Sequence, residues 1–463
     1  MIEVQLSQLA KVLGAELIGD DRTIADVSTD TRKIADKTLF IALKGERFDA
    51  HDFCQTAMDN GADALLVSRH LPVALPQLVV ADTRLALGQL GAWVKLQMEQ
   101  QCGLKTLALT GSCGKTTVKE MAAAILARKG KVLATAGNFN NDIGVPLTLL
   151  RLTPEHEFAV IELGANHQHE ISYTTNLVKP QVALINNLAA AHLEGFGSLK
   201  GVAKAKGEIF EGLTPLASAD ISQATAVINL DSNDQALWQP LLADHKVVTF
   251  SATQAAADFS ASDIIINSQG RACFTMHTPC GDVSVALTMP GVHNVANALA
   301  AAALAIAQGV TLEQVKTGLE LVENVKGRVE VTQPREGLRL IDDTYNASVA
   351  SVKAAIDLLA TFSGQRWFVL GDMAELGEDS AALHREVAEY AMGKSLDRVL
   401  TYGKASAVVS ELNHGRHFDD KSALIQQLTE QLNSQKTEVT VLAKGARSSR
   451  MEDVIVALQE NTQ

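Results

Sequence analysis

The segment Thr110-Gly111-Ser112-Cys113-Gly114-Lys115-Thr116-Thr117 constrains this chain of 463 residues more than any other. Before it runs Thr106-Leu107-Ala108-Leu109-Thr110, and after it Val118, Met121, Ala122, Ile125 and Leu126 recur at helical spacing. The first pattern predicts a buried strand and the second a helix with one apolar face. Glycines between a strand and a helix let backbone N–H groups close on an anion, and the helix N-terminus adds a favourable field. Gly111, Ser112, Cys113, Gly114, Lys115, Thr116 and Thr117 therefore form a candidate cradle for the phosphates of ATP. Lys115 would reach the β- and γ-phosphates and Thr116 would offer a hydroxyl to Mg²⁺. Leu109 stands where the general phosphate-loop pattern has its first glycine, so the segment alone also fits a simple glycine turn.

The flanking patterns extend the loop into a domain. Strands predicted over 158–161 and 182–185 alternate with helical stretches, the rhythm of a parallel sheet. Residues 263–289 change to short alternating strands, an antiparallel extension, and the Ala-rich run 298–307 predicts a buried helix. Upstream lie strands over 39–43, 64–67 and 78–80, a helix over 49–60 stopped by Gly61, and a helix capped by Asp82 that runs to about Glu99. Downstream, strands over 338–341, 367–370, 399–402 and 439–442 alternate with helices in a Rossmann-type pattern. No GxGxxG accompanies it; Gly195-Phe196-Gly197 comes nearest and has Lys200 in the third glycine position. The expected architecture is α/β in three domains: a small unit over 1–83, a central phosphate-loop domain over 84–314 with a connector helix at 84–100, and a Rossmann-like domain over 315–463.

Composition narrows the function. No apolar run approaches the roughly 20 residues of a membrane span, and the first residues lack the basic-then-apolar pattern of a leader. Cys54, Cys102, Cys113, Cys273 and Cys280 are odd in number and show no CxxC, which predicts neither a disulfide framework nor a zinc site and suits the reducing cytoplasm. A net charge of −13 without a basic run argues against nucleic acid. Any anionic ligand must be held by locally arranged groups against the overall field.

Ligands in open α/β sheets collect beyond the strand ends. Glu162 closes one central strand and His192 follows the strand that ends at Asn186-Asn187. A carboxylate and a neutral imidazole beside a triphosphate suit Mg²⁺, directly or through water. Taken singly, each equally fits a capping or hydrogen-bonded surface residue.

With these residues in hand, the sequence resembles the Mur ligase family of peptidoglycan synthesis along essentially its whole length. Thr110 to Thr117 is similar to that family's shortened phosphate loop, which accounts for Leu109. Asp30-Thr31-Arg32 and Leu39 to Gly45 resemble its uridine-nucleotide segment, which implies Thr31, Arg32, Lys44 and Gly45 on the UDP-linked substrate. Gly137 to Pro146 resembles a loop that handles the substrate carboxylate and metal, through Asn138, Asn140 and Asn141. The resemblance implies Glu162 and His192 as ligands of two Mg²⁺ ions, and Lys206, in Ala205-Lys206-Gly207-Glu208, as a lysine carbamylated by CO₂. It implies Asn294 and Asn297 on the adenine side, with Arg328 and Asp343 closing over ATP. Tyr345, Asn346, Asp372 (in Gly371-Asp372-Met373-Ala374-Glu375-Leu376-Gly377), Lys444 and Arg447 resemble the side that receives an incoming dipeptide. Thr31 and Ala446 each stand where serine is commoner.

The implied activity is ATP-dependent amide ligation of D-alanyl-D-alanine to UDP-N-acetylmuramoyl-tripeptide through an acyl phosphate, in the cytoplasm. Lys115, Glu162, His192 and Lys206 would be the catalytic set, with no nucleic acid, membrane or obligatory protein partner. A folylpolyglutamate synthetase shares the central loop but is not expected to carry the uridine-nucleotide segment. A nucleotide hydrolase should show NKxD or an apolar strand ending in an Asp placed as partner to the phosphate loop; neither is found, and that strand end carries Glu162 instead. The family's ligase for the third residue is expected to carry Asp-Asn-Pro-Arg, also absent.

Overall fold

The apolar runs fold into three α/β units in a computed structural model that describes residues 1–46, 48–190, 192–215, 223–323 and 325–460. Among the described residues, the first unit holds a five-stranded sheet in the order Glu16–Ile18, Gln77–Val79, Ala64–Val67, Thr38–Ile41, Asp26–Ser28. Its pairs are parallel except Glu16–Ile18 with Gln77–Val79. The helix expected over 49–60 begins as a 3₁₀ turn, Ala50–Phe53, capped by Asp49, and continues as Cys54–Asp59. Asp82 caps the connector helix Thr83–Cys102 as expected, accepting from the N–H groups of Arg84 and Leu85 at 2.8 and 3.0 Å. That helix runs past Glu99 because the left-handed residue able to end it, Gly103 at φ +68°, comes later.

The central sheet is parallel throughout, in the order Lys246–Phe250, Thr225–Asn229, Val182–Ile185, Lys105–Thr110, Phe158–Glu162, Val132–Ala134. Layers cover both its faces, which is why its inner strands read as unbroken apolar runs. Lys105–Thr110 lies between strands that follow it in sequence on opposite sides, so the chain switches direction across the sheet beside the phosphate loop. Glu162 pairs in register with Leu109, and Ile185 with Thr110. The loops after these three strands are therefore forced together at one sheet edge. Ser260–Ile266, Arg271–Thr278 and Gly281–Pro290 form the expected antiparallel extension. The Ala-rich helix begins earlier than expected, at His293, and packs with Lys115–Leu126 in one core.

The last unit has the order Glu330–Arg335, Leu338–Asp343, Val439–Lys444, Gln365–Gly371, Arg398–Tyr402, Arg416–Phe418, parallel except at its first pair. One apolar core joins the first unit to a face of the central sheet, through Leu87, Leu90 and Val94 of the connector helix. The last unit keeps separate cores around Phe368 and Trp367. No helix among the described residues is long and apolar enough to cross a membrane.

Candidate active site

The phosphate loop is held from outside by side chains of the neighbouring strand end. Asn187 Oδ1 accepts from Cys113 N at 2.8 Å, and the amide groups of Asn186 and Asn187 donate to Cys113 O at 2.9 and 3.0 Å. Ser112 Oγ donates to Ala189 O and accepts from Ala189 N. Gly114 adopts φ +75°, and a Cβ there would lie 2.7 Å from both Asn186 Nδ2 and Asn297 Oδ1, so both backbone sterics and close approach demand glycine. Asn297 completes the brace by accepting from Asn186 Nδ2 at 3.0 Å and donating to Asn294 Oδ1 at 2.8 Å. Lys115 Nζ folds back to donate to Gly111 O at 2.9 Å. Burial pulls the Lys115 ammonium down from its usual range, against the opposing charge of Glu162.

Glu162 is 2% exposed, and its two oxygens face different parts of the site. Thr116 Oγ1 donates to Oε2 at 2.9 Å, while Asn140 Nδ2 donates to Oε1 at 2.8 Å. Its N–H is tied to Thr135 Oγ1 at 3.0 Å, and buried Lys119 donates to Thr135 O at 2.6 Å. Together these bonds fix the phosphate-loop helix, the carboxylate and the Asn138–Asn141 loop relative to one another. A cavity of about 620 Å³ opens here, lined by Ser112 to Thr117, Asn138, Asn140, Asn141, Glu162 and His192 on one side. Asn294, Asn297, Arg328, Asp343, Tyr345, Asn346 and Lys444 line the rest.

A buried carboxylate beside a hydroxyl is a hard-oxygen donor pair and fits Mg²⁺. The described residues hold no group of three or more His, Cys, Asp or Glu able to bind a metal alone.

His192 lines the cavity in a left-handed conformation, φ +53°. Its Nδ1 pairs with the Glu375 carboxylate of the last unit, and Phe196 meets its ring edge-on at 6.4 Å. The His192 hydrogen bond holds the Glu375 carboxyl below the usual range. Lys206 is 1% exposed and lies behind the cavity wall, with Nζ 5.4 Å from the centre of the Phe196 ring. Burial, reinforced by the charge of Lys115, pushes its ammonium down to about 7.

From the last unit, buried Lys444 donates to Asp343 Oδ2 at 2.6 Å and to Asn346 O at 2.9 Å. The Arg328 guanidinium stacks 4.2 Å above the Tyr345 ring. Ser348, the N-cap of Val349–Ala360, brings its Oγ within 3.2 Å of Cys113 Sγ.

Besides Gly111 and Lys206, which do not line it, six further expected residues lie outside this cavity. Arg32 makes a two-pronged bond to Asp30 at 2.9 and 2.9 Å, which lowers the Asp30 carboxyl to about 2. Thr31 O accepts from Asn60 Nδ2 at 2.8 Å, Gly45 N donates to Phe48 O at 3.0 Å, and Lys44 pairs through its backbone with Asp49. Asp372 accepts from the N–H groups of Lys404, Ala405 and Ser406 at 2.8, 3.0 and 2.8 Å, and Arg447 donates to Glu452 at 2.9 Å. Asn187, Ser348 and Glu375, to which the sequence alone assigns no role, also line the cavity, as does His293 beside the adenine-side Asn294. Asn187 and Glu375 did stand inside segments already singled out; their partners are distant in sequence and left no local signal.

Residues 109–305 match the Mur ligase middle domain and residues 327–447 the Mur ligase glutamate ligase domain. The chain is 54% identical over 462 residues to the UDP-N-acetylmuramoyl-tripeptide–D-alanyl-D-alanine ligase of Escherichia coli (strain K12), covering 100% of this chain and 99% of that protein. Among solved structures, MurF from Acinetobacter baumannii superposes with a TM-score of 0.93 at 38% identity, over 99% of both chains. The MurF ligase from Thermotoga maritima in complex with ADP gives 0.80 at 26% identity, over 94% of this chain and 97% of that one.

Proposed function

The chain belongs to the Mur ligase family, and on that premise we propose how it acts as an ATP-dependent ligase joining D-alanyl-D-alanine to UDP-N-acetylmuramoyl-tripeptide in peptidoglycan precursor synthesis. The observation that carries the reading is a single cavity with a phosphate loop and buried Glu162 on one wall and Arg328, Asp343 and Lys444 on the other. A carboxylate and an amine do not condense unaided in water. The tripeptide carboxylate attacks the γ-phosphorus of ATP, ADP leaves, and an acyl phosphate forms. The dipeptide amine then attacks the acyl carbon, phosphate leaves, and the nitrogen gives up a proton as the amide forms. Negative charge grows in both steps, so the site must offer fixed cations and donors.

Lys115, released from Gly111 O, and Arg328 supply that charge. Mg²⁺, two ions in this reading, would be held by Thr116, Glu162 and His192 with Lys206 as a carbamate, and when bound would neutralise charge on the transferring phosphoryl group. A lysine whose ammonium titrates near 7 offers free amine to CO₂ at neutral pH, and the resulting anion would oppose the charge of Lys115. A crystal grown with CO₂ and Mg²⁺ in which Lys206 Nζ carried no extra density would count heavily against the carbamate.

The division of labour follows the units over 1–83, 84–314 and 315–463. Thr31, Arg32, Lys44 and Gly45 take the uridine nucleotide, and Asn138, Asn140 and Asn141 guide the tripeptide end to Glu162. Asn294 and Asn297 brace the adenine side. Tyr345, Asn346 and Arg447 face the dipeptide, with Asp372 and Lys444 fixing the loops that carry them. The reaction is placed in the cytoplasm, where ATP is supplied and Cys54, Cys102, Cys113, Cys273 and Cys280 stay free thiols. Small molecules suffice as partners.

Phosphate release measured with ATP, UDP-N-acetylmuramoyl-tripeptide and D-alanyl-D-alanine, each omitted in turn, tests the function. Full turnover should need all three. Release indifferent to both other substrates would point instead to a nucleotide hydrolase.

A further inference from the structure

His192 and Glu375 come from different units, and both adopt backbone conformations that side chains disfavour. His192 precedes the short helix Leu193–Phe196 at φ +53°, and Glu375 lies in the turn after Gln365–Gly371 at φ +61°. A left-handed backbone is unfavourable for a residue with a Cβ, so the surrounding contacts must hold each one there. The Glu375 carboxylate pairs with His192 Nδ1, while Glu194 N donates to Glu375 O at 3.5 Å. Gly377, at φ +62°, brings the same turn close enough that a Cβ would sit 3.5 Å from Glu194 Cα. Two strained turns thus meet at two points, beside the phosphoryl-transfer cavity that both line.

From this geometry we propose that Glu375 is the positioning residue for His192, so that the phosphoryl-transfer site is complete only when the dipeptide-bearing unit is docked. The proposal rests on the ligase reading and deepens it. A carboxylate held against Nδ1 favours a proton on that nitrogen and orients the ring, the role that carboxylates play behind cation-binding histidines. Among the described residues, the carboxylate recorded on His192 Nδ1 comes from the last unit. The same unit touches the other end of the site, where Ser348 Oγ meets Cys113 Sγ at 3.2 Å. The first two units share one core, whereas the last keeps its own and meets the central unit where Leu358 and Phe362 pack against Gly270, so these polar contacts add to that packing in registering it on the phosphate loop. ATP is then activated only in the arrangement that also brings the amine.

The test compares wild type, Glu375→Ala, Glu375→Gln, His192→Ala and the double variant Glu375→Ala/His192→Ala. Calorimetry follows binding of a non-hydrolysable ATP analogue across a Mg²⁺ series, and steady-state kinetics give kcat and the dipeptide KM. Glu375→Ala should need roughly 10–100-fold more Mg²⁺ for half-maximal tightening of analogue binding, in line with the loss of a partner behind a metal-binding histidine. Its kcat should fall with a dipeptide KM changed less than about threefold. Glu375→Gln, whose amide oxygen can still accept from Nδ1, should recover most of the loss. The double variant should be no worse than His192→Ala, because residues in one interaction are not additive. An unchanged Mg²⁺ dependence, additive losses, or no rescue by glutamine would overturn the assignment. So would a collapse of the thermal melt in Glu375→Ala, since the Glu375 side chain is 49% exposed and a positioning role leaves folding intact. If wild type made no ADP with the two substrates, the ligase reading would fall while the Mg²⁺-dependent binding shift could still be read.

Discussion

Cys113 sits inside the phosphate loop and yet reaches the neighbouring unit, through Ser348 Oγ at 3.2 Å. Its backbone N–H and carbonyl are already engaged by Asn186 and Asn187, so the side chain is the part of this residue free to change. Alkylating it would insert several atoms where a hydroxyl and a thiol are in contact. Overpacking of that kind costs about 1–3 kcal/mol, enough to lower activity roughly 10- to 100-fold if it falls on the docked state. Iodoacetamide is therefore expected to inactivate the enzyme, ATP to protect it, and Cys113→Ala to stay active and insensitive. Full activity after stoichiometric labelling of Cys113, checked by mass spectrometry, would remove the idea.

Among the elements, Asp372, expected on the dipeptide side, also ties two loops together. It ends the strand Gln365–Gly371 and accepts three backbone N–H groups from the start of the next loop, Lys404, Ala405 and Ser406. Burial alone would raise its carboxyl, but those N–H groups outweigh it and hold the carboxyl below the usual 3.8. A depressed carboxylate contributes stability that is present above the unfolded value and is lost as pH falls through the folded one. Asp372→Ala should thus cost about 2 kcal/mol in urea unfolding at pH 7, after discounting charge-assisted bonds for partial exposure. The gap to wild type should close as pH drops below about 4. A gap that persisted unchanged at pH 3 would show that the carboxylate does not act through these bonds.

The same scale shows what was legible in the sequence. Long apolar strands such as Lys105–Thr110 and Val182–Ile185 announce themselves because both faces are buried, and Asp82 and Gly103 mark the ends of the connector helix. Thr23–Ile24, Asp26–Ser28 and Arg416–Phe418 are too short to carry a period, and they form through pairing partners rather than through their own pattern. Thr116 and Glu162 were readable because their places follow from strand ends, whereas the Glu375–His192 pair exists only once two units meet.

At the scale of the whole molecule, Thr31, Arg32, Lys44 and Gly45, proposed above to take the uridine nucleotide, do not line the cavity, so on that proposal the first unit acts on the chemistry at a distance. The route is the connector helix Thr83–Cys102. A Cβ at Gly91 would lie 2.9 Å from Pro146 Cα, so the helix is pressed against Gly144–Leu149, which follows the cavity-lining loop of Asn138, Asn140 and Asn141. At its start, Arg84 Nη1 donates to Asp142 Oδ2 at 2.9 Å, beside Asn141. These two contacts are not equal. Arg84 and Asp142 are 47% and 32% exposed, and exposed pairs contribute about 0.2–1 kcal/mol. Arg84→Ala should therefore raise the KM for the UDP-linked substrate by roughly two- to fivefold with kcat nearly unchanged. Asp142→Ala should do the same, and the double variant should be less than additive. Gly91→Ala meets backbone that cannot swing away, so it should destabilise by about 1–3 kcal/mol and shift kcat and KM together. Equal effects of Arg84→Ala and Gly91→Ala would mean that the polar pair, rather than the shared core, carries the first unit's grip on the loop. The contrast with Glu375 then becomes physical: one ion pair lies beside apolar packing that already joins helix and loop, while the other joins units whose apolar cores are separate.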